Sequence, residues 1–396
     1  MLTHSSPDFR RLLVISFVSS FGEWMSLMAL SYIVFIASGL TALGILTSVP
    51  VVAGTALSPW VGAWVDRLNA RRVVLLTTIA LAVVTAALQW YQPLAYVLLL
   101  TVRQVLGGLM YTAQGRLVPA VVPSTELERG AGLLNGADRI GAGLGLAVGP
   151  VLAAQLGPTV FLVNSATLLL ASALFWGLRA DVAPAPTGKH GRTVREALPW
   201  LRSNAIVLAL YCLGSILWGL RDIGTLPVVE QRLGLDIATW SGAFAAIALV
   251  GEVLGAAVLA WHNPDVRTHG LQIVGGLVVA LALTIMLPAL VVWLPLVVAV
   301  KVVEGLASNL LGSVATIVLI FQAPEGLRGR VAGVLFSLTM SVLAMSKLVW
   351  GYAIDQWGVV LVYVGALVVT VVVVFALSAA GFGESKQLGR SRPSDS

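Results

Sequence analysis

Twelve stretches of about 20 mostly apolar residues follow one another along this 396-residue chain, and no other feature limits its possible folds as strongly. A helix rises about 1.5 Å per residue and the hydrocarbon layer of a bilayer is about 30 Å thick, so each stretch is long enough to cross it. The windows lie near 12–37, 41–64, 72–91, 94–115, 131–156, 158–178, 205–228, 239–261, 270–292, 295–321, 331–353 and 359–380. Charged residues make up 11% of the chain, against roughly 25% in soluble domains, and the mean hydropathy is +0.94. The expected fold class is an all-α membrane protein with twelve transmembrane helices. The single cysteine, Cys212, allows neither an internal disulfide nor a cysteine metal cluster.

The basic residues orient these spans. With the N-terminus inside, 18 of the 24 Lys and Arg fall on the cytoplasmic side, 5 fall within spans and Arg232 alone falls outside. That asymmetry fits an even number of spans with both termini in the cytoplasm, and it explains the net charge of +6 without a nucleic-acid partner. Ala180 to Asn204 is the one long polar connection, with "APAPTGKHGR" as a linker and "TVREALPWLRS" as an interfacial helix. The expected organisation is a cytoplasmic N-terminus at 1–11, a six-helix bundle at 12–179, a linker at 180–204, a second six-helix bundle at 205–380 and a disordered cytoplasmic tail at 381–396.

The two halves repeat. "VRQVLGG" from Val102 aligns with "VKVVEGL" from Val300 at an offset of 198, and "PSTELERGAGLL" from Pro123 aligns with "PEGLRGRVAGVL" from Pro324 at an offset of 201. A same-sense repeat predicts two bundles related by an axis along the membrane normal, with a cavity near the midplane suited to alternating access. At an offset of 199, Asp66 corresponds to Asp265 and Glu23 to Asp222.

Two motifs stand out. "GAWVDRLNARRVV" sets Asp66, Arg67, Arg71 and Arg72 in a short connection after Gly62, either as ordinary positive-inside anchors or as a conformational latch. "GADRIGAGLGLAVGPVLAA", from Gly136 to Ala154, spaces small residues so that helices can pack backbone to backbone, with Pro150 able to kink the span. On these residues the chain resembles the major facilitator superfamily, whose signature between the second and third spans reads approximately G-x-x-x-D-R-x-G-R-[RK]. Gly62, Asp66, Arg67, Arg71 and Arg72 match it, while Asn69 and Ala70 depart from its usual glycine. The resemblance implies that Asp66, Arg67 and Arg71 stabilise an outward-open state. Gly136, Gly145, Gly149 and Pro150 are similar to the superfamily's antiporter signature, with Ala153 and Ala154 replacing its final glycines, which implies an exporter. "SSFGEW", "VNSATLLLASAL" with Asn164, and "APEGLRGRVAG" look like the branch containing enterobactin exporters and macrolide efflux proteins, where aspartate usually stands in place of Glu23.

Ten ionisable residues fall inside spans, five of each sign: Glu23, Arg103, Asp138, Arg139, Arg221, Asp222, Glu252, Lys301, Glu304 and Lys347. Unpaired ions are costly at low dielectric, so internal pairing is expected. Lys301 and Glu304, three residues apart, can neutralise one another. The adjacent Arg221 and Asp222 each need a partner elsewhere, and Asp138, Arg139 and Lys347 read as structural pins. Glu23 and Arg103 both fall at mid-span in one bundle and can meet across the cavity. Ser16, Ser19, Ser20 and Ser26 form a stripe around Glu23 that is expected to face water or substrate. A carboxyl whose cationic partner moves away can take up a proton and release it when the partner returns. Glu23 is therefore read as a proton switch, as half of a fixed pair with Arg103, or as a solvated bystander.

The candidate coupling and cavity residues are thus Glu23, Arg103, Asp222, Arg221, Glu252, Glu304 and Lys301. The expected function is export of a small amphipathic compound, of the drug, macrolide or siderophore type, by proton antiport; an importer or facilitator for a small nutrient is the alternative. The protein is expected to act as a monomer in the plasma or inner membrane, with the substrate and the bilayer as its partners. No G-x4-G-K-[ST] loop is present, so an ion gradient rather than ATP is the expected energy source and no cofactor or metal is expected. The four histidines fall in the N-terminal tail or in loops, and no H-E-x-x-H or G-x-S-x-G motif lies at membrane depth, which argues against an enzyme.

Overall fold

The computed structural model describes residues 7–65, 68–90, 93–122, 127–178, 194–262 and 266–390, and all regular structure among them is helical. The chain divides into two units, one comprising Met1–Gly191 with Leu235–Ala246 and the other Arg192–Gly234 with Ile247–Ser396.

In the first unit, helix α1 (Pro7–Val65) is broken at Gly39, whose φ of 77° is a left-handed value that glycine adopts without a Cβ clash. The break falls where the sequence ends its first apolar window. Helices α2 (Ala70–Ala87) and α3 (Pro93–Val121) follow. Helices α4 (Leu127–Leu156) and α5 (Val160–Trp176) are joined by the tight turn Gly157–Thr159. The α1 helix packs on α3, α4 and α5, and α2 packs on α3 and α5. Leu12 and Ile15 of α1, Val74 of α2, Leu117 of α3 and Phe175 of α5 share one buried cluster.

The second unit holds the short α6 (Leu198–Ser203), α7 (Ala205–Pro227), most of α8 (Ile237–His262), α9 (Val266–Leu290), α10 (Leu294–Thr316), α11 (Arg328–Trp357) and α12 (Val359–Arg390). Here α7 packs on α9 and α11, while α9 also packs on α10 and α12. Among the described residues, ten helices are long and apolar enough to cross a membrane; two of these apolar segments, Pro7–Leu57 and Gly130–Trp176, run to 51 and 47 residues. One crossing needs only about 20 residues.

Two boundaries differ from the sequence expectation. The expected interfacial segment begins with the 3-10 turn Val194–Ala197 and continues as α6, but it docks on protein: Ala197 and Leu201 are buried against Ala323 and Val331. The Trp200 indole donates to the Leu319 carbonyl at 2.8 Å, and Arg330 pairs with Glu196. Residues 180–193 of the expected linker lie outside the described residues. At the other end, α12 continues to Arg390, into the segment expected as a tail. Glu384, Lys386, Gln387 and Leu388 are strong helix formers, and no proline interrupts them before Pro393. Residues 391–396 lie outside the described residues.

Candidate functional site

Four helices of the second unit bring six embedded charges together: Arg221 and Asp222 from α7, Glu252 from α8, Lys301 and Glu304 from α10, and Lys347 from α11. Glycines set this geometry. A Cβ on Gly251 would collide with the Val302 carbonyl, and one on Gly305 with the Ala248 carbonyl, so α8 and α10 cross in backbone contact. That crossing puts Glu252 beside the Glu304 turn.

The network is graded in depth. Glu304 is 0% exposed; its Oε2 accepts from Lys301 Nζ at 2.9 Å, while its Oε1 is buried, accepts no hydrogen bond and lies 4.0 Å from Arg221 Nε. The same Arg221 stands 3.3 Å from Asp222 Oδ1 and, through Nη1, 3.8 Å from Glu252 Oε1. Asp222, with 34% of its side chain exposed, also receives Lys347 Nζ at 2.9 Å. Three cations thus balance three carboxylates, and one guanidinium is shared: its Nε donates to Asp222 Oδ1 at 3.3 Å, while Glu252 and Glu304 lie 3.8 and 4.0 Å away. Burying such a set costs several kcal/mol per ion unless pairing is close. A guanidinium bonded to one acid with two more within 4.0 Å has other acceptors in reach when the charge on that acid changes.

The first unit differs. Glu23 is exposed and makes no ion pair or hydrogen bond among the described residues, and Arg103 leaves its Nε buried without a partner. The fixed Glu23–Arg103 pair is not formed. The rotation of α1 explains this, because a Cβ on Gly141, Gly145 or Gly149 of α4 would strike the carbonyl of Phe17, Phe21 or Met25 in turn. On another side, Gly22 is pressed against Asn164 and Thr167 of α5. Those contacts hold α1 with Glu23 turned off its packed faces. They also correct the serine stripe: Ser20 and Ser26 are buried, and the Ser16 hydroxyl donates to the Leu134 carbonyl at 3.5 Å. Small side chains here serve close packing instead of wetting. The repeat makes the contrast plain, since at an offset of 198 Arg103 matches Lys301, but Leu106 stands where Glu304 would be.

The remaining candidates divide. Arg71 Nη2 donates to the Trp176 carbonyl at 2.6 Å, a cation on the negative end of α5, and Arg72 is exposed. Gly62 lies within α1, whereas Asp66 and Arg67 lie outside the described residues. Gly145 and Gly149 sit in the α1–α4 contact, Pro150 lies inside α4, and Gly136 has open space where a Cβ would go. Lys347, expected as a pin between helices, pairs with Asp222, and only the tertiary packing of α11 on α7 identifies that partner. Gly141 completes the α4 contact, and its four-residue spacing from Gly145 is the signal that identifies it.

Long apolar helices that carry a balanced ion network mark a membrane protein, and the family match makes it a transporter and not an enzyme. The chain belongs to the Major Facilitator Superfamily, whose family model matches residues 12–345. A search of curated protein sequences finds no match. Among solved structures, the chain is similar to the nucleoside transporter NupG, at 15% identity and a TM-score of 0.76, covering 94% of this chain and 99% of that one. It is also similar to a bacterial homologue of the human lysosomal transporter Spinster in an inward-facing, occupied conformation, at 15% identity and a TM-score of 0.72, covering 99% and 100%. The human organic anion transporter MFSD10 matches at 16% identity and a TM-score of 0.61, covering 94% and 100%. At such identities the likeness is one of fold.

Proposed function

We propose that this protein is a secondary active transporter that exports a small amphipathic compound, of the drug, macrolide or siderophore type, in exchange for protons by alternating access. In this reading twelve crossings leave both termini in the cytoplasm, the membrane is a plasma or inner membrane, and the protein works as a monomer. The observation that carries this reading is the balanced network in which Arg221 is shared by Asp222, Glu252 and Glu304. Adding a proton to one of these acids leaves an excess positive charge at low dielectric. The guanidinium then settles on the acids still ionised, and because those acids come from different helices, protonation biases how the helices sit. An ion gradient supplies the work, at about 2.3 kcal/mol per charge per 100 mV. Glu23 is an exposed carboxyl within a span of the first unit and is read as a second proton site. Exchange instead of symport is supported by the resemblance of Gly145, Gly149 and Pro150 to the antiporter signature, and a place in the enterobactin and macrolide branch by the motifs around Glu23 and Asn164.

Proteoliposomes with an imposed pH gradient test this reading against a panel of macrolides, siderophores and amphipathic dyes. A transported compound is expected to accumulate against its gradient, opposite to proton flow, and Glu23→Gln is expected to abolish that accumulation. Equilibration independent of the gradient would favour a nutrient facilitator, and uptake in the direction of proton flow would favour an importer.

A further inference from the structure

The arginines at one end of the first unit are more numerous than anchoring of its helices requires. Arg11 Nη1 bonds to the Gly177 carbonyl and Arg71 Nη2 to the Trp176 carbonyl, so the starts of α1 and α2 meet at the end of α5. Arg10 and Arg72 are the sequence neighbours of these two, and among the described residues of α1's first turns and α2's first turn the one carboxylate is Asp8, which Arg11 holds at 3.3 Å. Four positive charges less one negative leave +3, reinforced by the partly positive N-termini of α1 and α2. Arg72 is exposed and makes no side-chain hydrogen bond or ion pair among the described residues.

Below Arg72 the exposed surface becomes apolar in a regular way. Leu76, Ile79 and Val83 follow it at spacings of four, three and four along one face of α2, and Leu76 is 69% exposed. On α5, Trp176 is 73% exposed, and Leu169, seven residues earlier and on the same face, is exposed as well. The two helices are held side by side at both levels, by the Arg71 bond to Trp176 at the top and by the Ser165 hydroxyl on the Ala82 carbonyl, 2.8 Å, lower down. A cationic head therefore stands at the end of two apolar stripes on neighbouring helices, with the exposed Trp176 at that same end.

We infer that this surface is a specific binding site for an anionic phospholipid of the inner leaflet. The phosphate group pairs with Arg72 beside the fixed Arg71, the indole of Trp176 sits at headgroup level, and an acyl chain lies along Leu76, Ile79 and Val83. A free phosphate would use the arginines but leave the stripes unexplained, and a zwitterionic lipid would fill the stripes but gain little from a net positive head. Inner-leaflet placement follows from the positive-inside orientation proposed above.

The test uses the full-length protein in detergent micelles, titrated with dioleoylphosphatidylglycerol, with dioleoylphosphatidylcholine and with inorganic phosphate, and read by native mass spectrometry and by the thermal midpoint. The expected result is retention of phosphatidylglycerol over phosphatidylcholine, with Arg72→Gln weakening phosphatidylglycerol binding about fivefold. Arg202→Gln, which removes an exposed arginine on α6 in the other unit, is expected to leave that binding unchanged. Equal losses in the two variants would show diffuse attraction to net charge and overturn the site. So would an unchanged preference in Arg72→Gln. Equal protection by inorganic phosphate alone would replace the lipid with a free anion.

Discussion

Glu304→Ala is expected to destabilise the protein by about 3–5 kcal/mol, because it strands Lys301 as an unpaired buried cation. Lys301 Nζ has Glu304 Oε2 at 2.9 Å as its partner, and its side chain is 7% exposed, so little water can replace the lost carboxylate. A paired substitution avoids that cost. Lys301→Met/Glu304→Leu removes both charges together, leaves apolar side chains of similar size and keeps the remaining four charges balanced. That double variant is expected to recover most of the lost stability, since apolar replacement of a buried ion pair is often neutral. Thermal midpoints in detergent of the parent, Glu304→Ala and the double variant decide the matter. Three equal midpoints would mean that the pair is not held as a buried unit.

Gly145→Val should disrupt the first unit more than any polar change there. The Cβ alone would meet the Phe21 carbonyl and lie 2.8 Å from the Met25 nitrogen, both of them backbone atoms that cannot turn aside as a side chain can. Overpacking a tight contact costs about 1–3 kcal/mol per site, and here relief requires α1 and α4 to separate along several turns. Gly136→Val lies on the same helix with nothing within 4 Å of its Cβ position, so it serves as the matched control. The expected outcome is loss of the monodisperse protein for Gly145→Val, with Gly136→Val indistinguishable from the parent. Parity between the two would contradict the close α1–α4 packing.

The helices were legible in the chain because membrane crossing is a local property: length, hydropathy and the break at Gly39 are all written in contiguous residues. The network was only partly so. Lys301 and Glu304 announce each other through their three-residue spacing. Arg221 with Glu252 and Asp222 with Lys347 are partners across helices, separated by 31 and 125 residues, and no periodicity signals such pairs. Mid-span position made Glu23 and Arg103 look complementary, but depth in a membrane says nothing of rotation about the helix axis. On α1 that rotation is set by glycines of α4, whose spacing was visible while their target was not. The serines misled for a related reason, since a small hydroxyl side chain suits a water-facing wall and a tight helix contact equally well.

In the proposed mechanism the charges of the second unit couple protons to substrate movement. Its most direct test is transport by Lys301→Met/Glu304→Leu in proteoliposomes carrying a pH gradient and a compound that the parent protein accumulates. The account predicts a folded variant that still equilibrates the compound but no longer concentrates it, and whose transport no longer responds to the gradient. Accumulation at the parent level would contradict the account, by showing that the Lys301–Glu304 pair is structural and that the proton travels elsewhere.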